Sequence, residues 1–317
     1  MNHNGAADAL KPLDFIRKPK QPFRLDLTSW VLRRHPQNII DRFENGEYGR
    51  VVVINNQVAE LSVTQPGASS CMLQVLLLTE GSSSSDLIPS ANLLLDRLLG
   101  PKIDLTGFYN VVKKDPTTGD LVKKFVGVKP PRFPSVFESL VNAIACQQVS
   151  LSVGLLLLNR LASSFGPSIY IHGKNRHGFP LPEKLARLDY QALRNLGFSG
   201  RKSEYIVEVA KMAVRHDFDL EELASMTNEE AVEVLTQIRG VGRWTAEYVL
   251  LRGLGRLNVF PADDAGAQNS LRAWFHLHKK PDYEKAMRII SKWQPYAGML
   301  YFHFLLHRLS SDEQNPF

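Results

Sequence analysis

Cysteine is nearly absent from this chain: 317 residues hold two, Cys71 and Cys146. A thiolate-held iron–sulfur cluster takes four, and a closed cysteine-rich zinc site three or four, so both are excluded. A disulfide framework is excluded too, and a reducing intracellular compartment is the default expectation. No apolar run approaches the roughly 18 residues of a membrane span. The amino end, Met1 to Lys20, has no apolar core and no small-residue cleavage site, so it does not read as a secretory signal. The nine histidines show no metal-ligand spacing beyond His276-x-His278, which reads as surface. The charge excess is small, +6, and by itself only mildly favours an anionic partner. What is present is ordinary for a globular protein: 44% hydrophobic and 22% charged residues, in a length that fits two domains.

Residues 1–22 mix Asn, Gly, Ala, Lys and Pro without period and read as a loose tail. Arg24-Leu25-Asp26-Leu27 opens an alternating pattern. Val51 to Ile54 and Val58 to Val63 flank Asn55-Asn56, a pair that tolerates positive φ, so a tight hairpin is expected. Met72 to Leu78 is a third strand, Gly81 to Ser85 a small-residue loop, and Ile88 to Leu99 a helix. Residues 23–128 therefore read as a small antiparallel sheet with helices attached. From Pro130-Pro131 onward the apolar period is helical, which sets a second, all-α domain at 129–317. Ser135 and Glu138 fit a capping box. Helices are expected over Pro182–Leu196, Lys202–Val214, Asn228–Ile238, Thr245–Leu254, Ala265–Phe275 and Tyr283–Trp293. No internal repeat is visible.

The most informative segment runs Leu235-Thr236-Gln237-Ile238-Arg239-Gly240-Val241-Gly242-Arg243-Trp244-Thr245-Ala246. A helix ends, two glycines bracket one apolar residue, and a second helix begins at once. Glycine permits positive φ and close backbone approach. The amides of Val241, Gly242 and Arg243 are expected to point outwards at a helix amino end, where an anion such as a DNA phosphate is favoured.

This segment resembles the helix-hairpin-helix of the DNA glycosylase superfamily. The resemblance continues in Phe260-Pro261-Ala262-Asp263-Asp264, in Phe137 to Ser150 around Gln147-Gln148, and in Leu196-Gly197-Phe198-Ser199-Gly200-Arg201-Lys202. It spans about Arg24 to Leu309 and points to the alkylated-base branch, 3-methyladenine DNA glycosylase II. The fold it implies is α+β: a small antiparallel, TBP-like sheet domain followed by the all-α glycosylase domain. Asp264, twenty positions after Trp244, matches the family's catalytic carboxylate. Such a group stabilises the positive charge that develops on the sugar, or activates water. As a residue type, Asp264 is equally a helix N-cap, and Asp263 reads as the residue capping the turn. Trp244 stands where the family's lyase members carry lysine. An indole forms no Schiff base, so a monofunctional enzyme that leaves an abasic site is expected.

Helical spacing puts Trp244, Tyr248 and Leu251 on one face, opposite Ala246, Val249, Leu250 and Gly253. Electron-rich rings there would attract a cationic alkylated purine. Tyr296, Tyr301 and Phe302 are candidates to close this pocket, and Leu305 falls near the family's deep tryptophan. The resemblance places Gln147-Gln148 at the corner that enters the minor groove, with Gln148 as the plug that fills the gap left by the flipped base. Arg201, Lys202, Gly240, Val241, Gly242, Arg243 and Thr245 are the DNA-binding candidates, with Arg239 and Arg252 as weaker ones. The resemblance also implies a structural Na+ or K+ on the carbonyls of Thr236, Ile238 and Val241, and no required cofactor. The partner is double-stranded DNA with damaged bases, bound by a monomer acting in base excision repair, cytoplasmic in a bacterium and nuclear in a eukaryote. A non-catalytic hairpin module, or a glycosylase for deaminated or oxidised bases, is the alternative.

Overall fold

The computed structural model describes residues 10–68, 70–80, 85–215 and 218–311. Strand β1 (Lys11–Arg17) comes first, then helix α1 (Leu25–Arg33), β2 (Arg42–Glu44), β3 (Glu47–Ile54), β4 (Gln57–Thr64) and β5 (Leu73–Thr79). Helices α2 (Leu87–Leu98), α3 (Thr106–Val112) and α4 (Pro116–Lys124) lead to α5 (Val136–Cys146) and α6 (Leu151–Phe165). A two-stranded ribbon follows, β6 (Ser168–Ile171) and β7 (Lys174–His177). The remainder is helical: α7 (Pro182–Ala186), α8 (Tyr190–Asn195), α9 (Gly200–Arg215), α10 (Asn228–Thr236), α11 (Arg243–Arg252), α12 (Ala265–Trp274), α13 (Tyr283–Ile290) and α14 (Ala297–Ser310). The fold is α+β, an antiparallel five-stranded sheet ahead of a helical region.

The sheet order is β1-β5-β4-β3-β2. Asn55 and Asn56 sit at φ 49° and 61°, the positive values that let a two-residue turn join β3 to β4. Residues 11–17 are not part of a loose tail. They pair with β5 from Lys11 opposite Thr79 to Arg17 opposite Leu73. The cause is a short alternation, with Leu13 and Phe15 packed on the sheet's core face while Ile16 faces out. The first nine residues, and Gly81 to Ser84 of the small-residue loop, lie outside the described residues.

Arg24 to Leu27 also departs from the alternating reading, because Leu25 onward is helix α1. Four residues of alternation are too few to fix a period, and burial on two sides decides the outcome. Leu25 and Leu32 pack into the sheet's core, whereas Leu27, Trp30 and Val31 pack into a core shared with α14. Helix α1 is thus a buried bridge between the two regions. A second bond across them is ionic. Arg50 of β3 donates to Asp41 at 2.7 Å and to Glu138 of α5 at 2.6 Å, with all three buried. This claims the carboxylate that the capping box required. Ser135 Oγ still accepts from the Glu138 amide at 3.0 Å, but the reciprocal bond is replaced by Arg50. The expected helix over Pro182–Leu196 is two short ones, α8 starting anew where Asp189 accepts from the Ala192 amide at 2.7 Å.

Candidate active site

The segment between α10 and α11 is the hairpin. Gly240 has φ 89°, and a Cβ there would run into the Tyr205 ring, so only glycine fits. Gly242 is different. Its φ is −98°, and a Cβ built on it meets nothing within 4 Å. Its side-chain-free surface faces open space rather than strain. The Val241 amide does not point outwards, since it donates to the Ile238 carbonyl at 3.0 Å to close the turn. The outward amides are those of the first turn of α11, which have no intrahelical acceptor. Gln147 fastens the hairpin to the end of α5. Its Nε2 donates to the Gly240 carbonyl at 2.8 Å and to Thr245 Oγ1 at 3.0 Å. Gln148, beside it, is exposed with φ 54°.

Asp264 caps α12, with Oδ1 accepting from the Ala267 amide at 2.8 Å. Its other oxygen stays with the cavity: Oδ2 accepts from Trp244 Nε1 at 3.2 Å and from the Tyr301 hydroxyl at 3.3 Å. Burial, reinforced by the Asp264 carboxylate, pushes the Tyr301 phenol well above its usual range, so it stays a donor. Asp263 is not the cap. It ion-pairs with Arg243 at 2.9 Å, and that guanidinium lies 3.7 Å from the Tyr283 ring centroid.

Asp264, Trp244 and Tyr301 open on a cavity of about 1020 Å³, large enough for a nucleotide. Trp244 and Tyr248 form one wall, with ring centroids 5.7 Å apart and planes tilted by 37°. Leu305, Gln147, Gln148, Thr245, Arg201, Lys202, Gly240 and Gly242 also reach it. Lys202 donates from Nζ to the Ala145 carbonyl at 2.8 Å, while Arg201 is exposed. Leu251, Val241 and Arg243 do not line it. Leu251 is wholly buried in the core shared with α14, because helical spacing cannot tell a cavity face from a second packed face. Of the three C-terminal candidates Tyr301 lines the cavity, Phe302 being core and Tyr296 packing against Phe108. Arg239 pairs with Glu204 at 3.0 Å, and Arg252 is a buried cavity residue, not a phosphate contact. The sequence did not signal Arg34 or Arg308. Arg34 arrives from α1, and Arg308 donates to Ser270 at 3.0 Å beside α12.

Four guanidinium groups, of Arg34, Arg201, Arg252 and Arg308, and one lysine therefore face a cavity whose carboxylates are Asp263 and Asp264. Such a site can hold a flipped base between rings and place a carboxylate beside its sugar.

Residues 141–295 match the HhH-GPD superfamily base excision DNA repair protein family. The chain is 34% identical over 197 residues to a DNA-3-methyladenine glycosylase of Bacillus subtilis, covering 61% of this chain and 65% of that relative, just under two thirds of its length. It is 30% identical to the alkylbase DNA glycosidase-like protein mag2 of Schizosaccharomyces pombe, covering 50% of this chain and 72% of the relative. Among solved structures it resembles the 3-methyladenine DNA-glycosylase of Archaeoglobus fulgidus, with a TM-score of 0.79, 27% identity, and coverage of 92% of this chain and 98% of that one. The chain belongs to the HhH-GPD superfamily of base excision DNA repair proteins.

Proposed function

We propose that the chain is a monofunctional DNA glycosylase that flips an alkylated purine from duplex DNA and hydrolyses its N-glycosidic bond. The observation that carries this reading is the Asp264 carboxylate, which keeps Oδ2 in the cavity beside the hairpin while Oδ1 caps a helix. The names of its relatives in Bacillus, Schizosaccharomyces and Archaeoglobus support the substrate class.

The chemistry follows from charge. As the C1′–N bond breaks, its electron pair leaves with the base and the sugar becomes positive. Asp264 stabilises that charge electrostatically, and water adds to C1′ and gives up its extra proton to the solvent. Trp244 and Tyr301 hold the carboxylate in place before the reaction, so little reorganisation is needed then. The hairpin position that would need an amine for lyase chemistry carries the Trp244 indole. Gln148, exposed at the rim, is the plug that props the strand open, and the first-turn amides of α11 with Arg243 take phosphates. Carbonyls at the end of α10, Thr236 among them, are unpaired by helix geometry and would suit a structural monovalent cation together with Val241. The Ile238 carbonyl already accepts from the Val241 amide and is the weakest of the three ligands.

The test is an Asp264→Asn variant on methylated duplex DNA, with liberated bases measured by mass spectrometry. Release should be lost while binding to an abasic-site analogue persists. Release at the parental rate overturns the assignment, and strand cleavage with borohydride trapping overturns its monofunctional part.

A further inference from the structure

Trp244 and Tyr301 orient the Asp264 carboxylate from within the cavity, but the loop that carries it, Pro261-Ala262-Asp263, is held from outside. The Asp264 amide donates to the Pro261 carbonyl at 3.0 Å, and Gln268 Nε2 donates to the Ala262 carbonyl at 3.1 Å. Asp263 is gripped by Arg243 of α11, whose Nε and Nη2 both reach its Oδ2, at 3.0 and 2.9 Å. That guanidinium rests 3.7 Å from the centroid of the Tyr283 ring, at the start of α13. The Tyr283 hydroxyl in turn donates to Glu247 Oε1 at 2.7 Å, and Glu247 follows Arg243 by one turn of α11. Four side chains from three segments thus form a brace against the residue beside Asp264. Arg243, Glu247 and Tyr283 do not line the cavity.

Glu247 is a costly member of this brace. It is 7% exposed, and its Oε2 has no hydrogen-bond partner. Burial pushes its carboxyl up to about 7, while the Tyr283 hydroxyl, Arg243 and the Ala262 amide favour its charge and Asp263 opposes it. Burial and the Glu247 carboxylate together hold the Tyr283 phenol well above its usual range, so it stays a donor. Glutamine would fill the same space without the burden of a buried charge. A titratable group kept at such a cost to the fold is the mark of a functional position. The charge has two effects here. It strengthens the bond from Tyr283, as a charged acceptor does, and it attracts Arg243.

We infer that Glu247 and Tyr283 are positioning residues for base release: with Glu247 ionised they hold Arg243 against Asp263, and so fix the backbone that presents Asp264. The inference rests on the glycosylase reading and adds to it what sets the carboxylate's place. Electrostatic stabilisation of a developing sugar cation needs its carboxylate fixed beforehand, and a small displacement lowers the rate without weakening the grip on DNA. When Glu247 takes up a proton, Tyr283 loses its charged acceptor and Arg243 loses one of the two carboxylates that attract it. The brace then slackens at its far end, while the bonds of Asp264 to Trp244, Tyr301 and Ala267 remain. Base release therefore falls with pH through the titration of a group that never meets the substrate.

The experiment measures single-turnover base release from methylated duplex DNA across pH, with affinity for an abasic-site analogue alongside, for the parental chain, Glu247→Gln, Tyr283→Phe and the double variant. The parental rate should rise about fivefold or more from pH ~5.5 to ~8 as Glu247 ionises. Glu247→Gln should stay near the parental low-pH rate throughout, and Tyr283→Phe should lose about tenfold at pH ~8, the size of one hydrogen bond to a charged group. The double variant should lose no more than the worse single one, because the two residues act as a unit. Affinity for the abasic-site analogue should stay within about twofold in all of them. Superimposable pH profiles for the parent and Glu247→Gln overturn the inference, as does a loss of affinity that matches the loss of rate. Either result leaves the glycosylase reading standing. A parental chain that releases no base at any pH, with abasic-site DNA still bound, overturns that reading and this inference with it.

Discussion

The indole N–H of Trp244 donates to Oδ2 of Asp264 across 3.2 Å, so a wall of the cavity and the carboxylate are one hydrogen-bonded unit. Replacing Trp244 with Phe keeps the ring and removes the donor. Single-turnover base release should drop about tenfold, the size of one hydrogen bond to a charged group, with little change in melting temperature. A rate equal to the parental one would show that Tyr301 alone positions the carboxylate.

The two hairpin glycines should separate in their effects. Gly240→Ala combines φ 89° with a collision against Tyr205, and it should cost about 1–3 kcal/mol of stability. Gly242→Ala meets nothing within 4 Å and should leave stability within about 0.5 kcal/mol. Its effect should appear instead in duplex affinity, because the added methyl stands where a phosphate would approach. Thermal melts and duplex titrations of both variants check this.

Removing Arg50 strands Asp41 and Glu138, both buried and each within 2.7 Å of it. Arg50→Met should therefore destabilise by about 3–5 kcal/mol in urea unfolding, since an uncompensated buried charge remains. Arg50→Met together with Glu138→Gln should recover part of the loss, and failure to recover any would argue against a charge-based account.

Glu247 supplies a pH signature. It is buried, its carboxylate accepts from the Tyr283 hydroxyl at 2.7 Å, and its Oε2 has no partner. Burial, the dominant cause, pushes its pKa from 4.5 up to about 7, against the opposing pull of the Tyr283 bond. The folded chain thus holds this proton more tightly than the unfolded one does. Its contribution to stability is full below pH 4.5 and is lost as pH rises towards about 7. Glu247→Gln mimics the protonated form, so its melting temperature should match the parent near pH ~5 and exceed it near pH ~8. Equal differences at both values would contradict the shift.

How much was legible in the sequence depended on whether a signal was local. The β3–β4 hairpin announced itself because Asn55 and Asn56 tolerate the backbone that the turn demands. Asp264 was singled out by the family resemblance, twenty positions after Trp244, and in the structure one of its oxygens caps a helix while the other accepts from Trp244. Leu251 was misplaced because α11 is packed on nearly every side, and periodicity marks a face as apolar without saying what covers it. Helix α1 was hidden for a similar reason, its burial being decided by two separate cores. Arg34 carried no local mark: its importance comes from contacts to Asn142 and Tyr248, residues 108 and 214 positions away.

That long reach bears on what the first hundred residues are for. None of the site candidates read from the sequence lies among them. Yet the helix wedged between sheet and bundle ends by sending Arg34 into the chamber that Asp264 and Trp244 also line. Trimming the chain at Pro130 would not merely shorten a handle. It would knock out the chamber's floor, and any smaller protein that does the same work without such a preface must tile that floor from some other part of its chain.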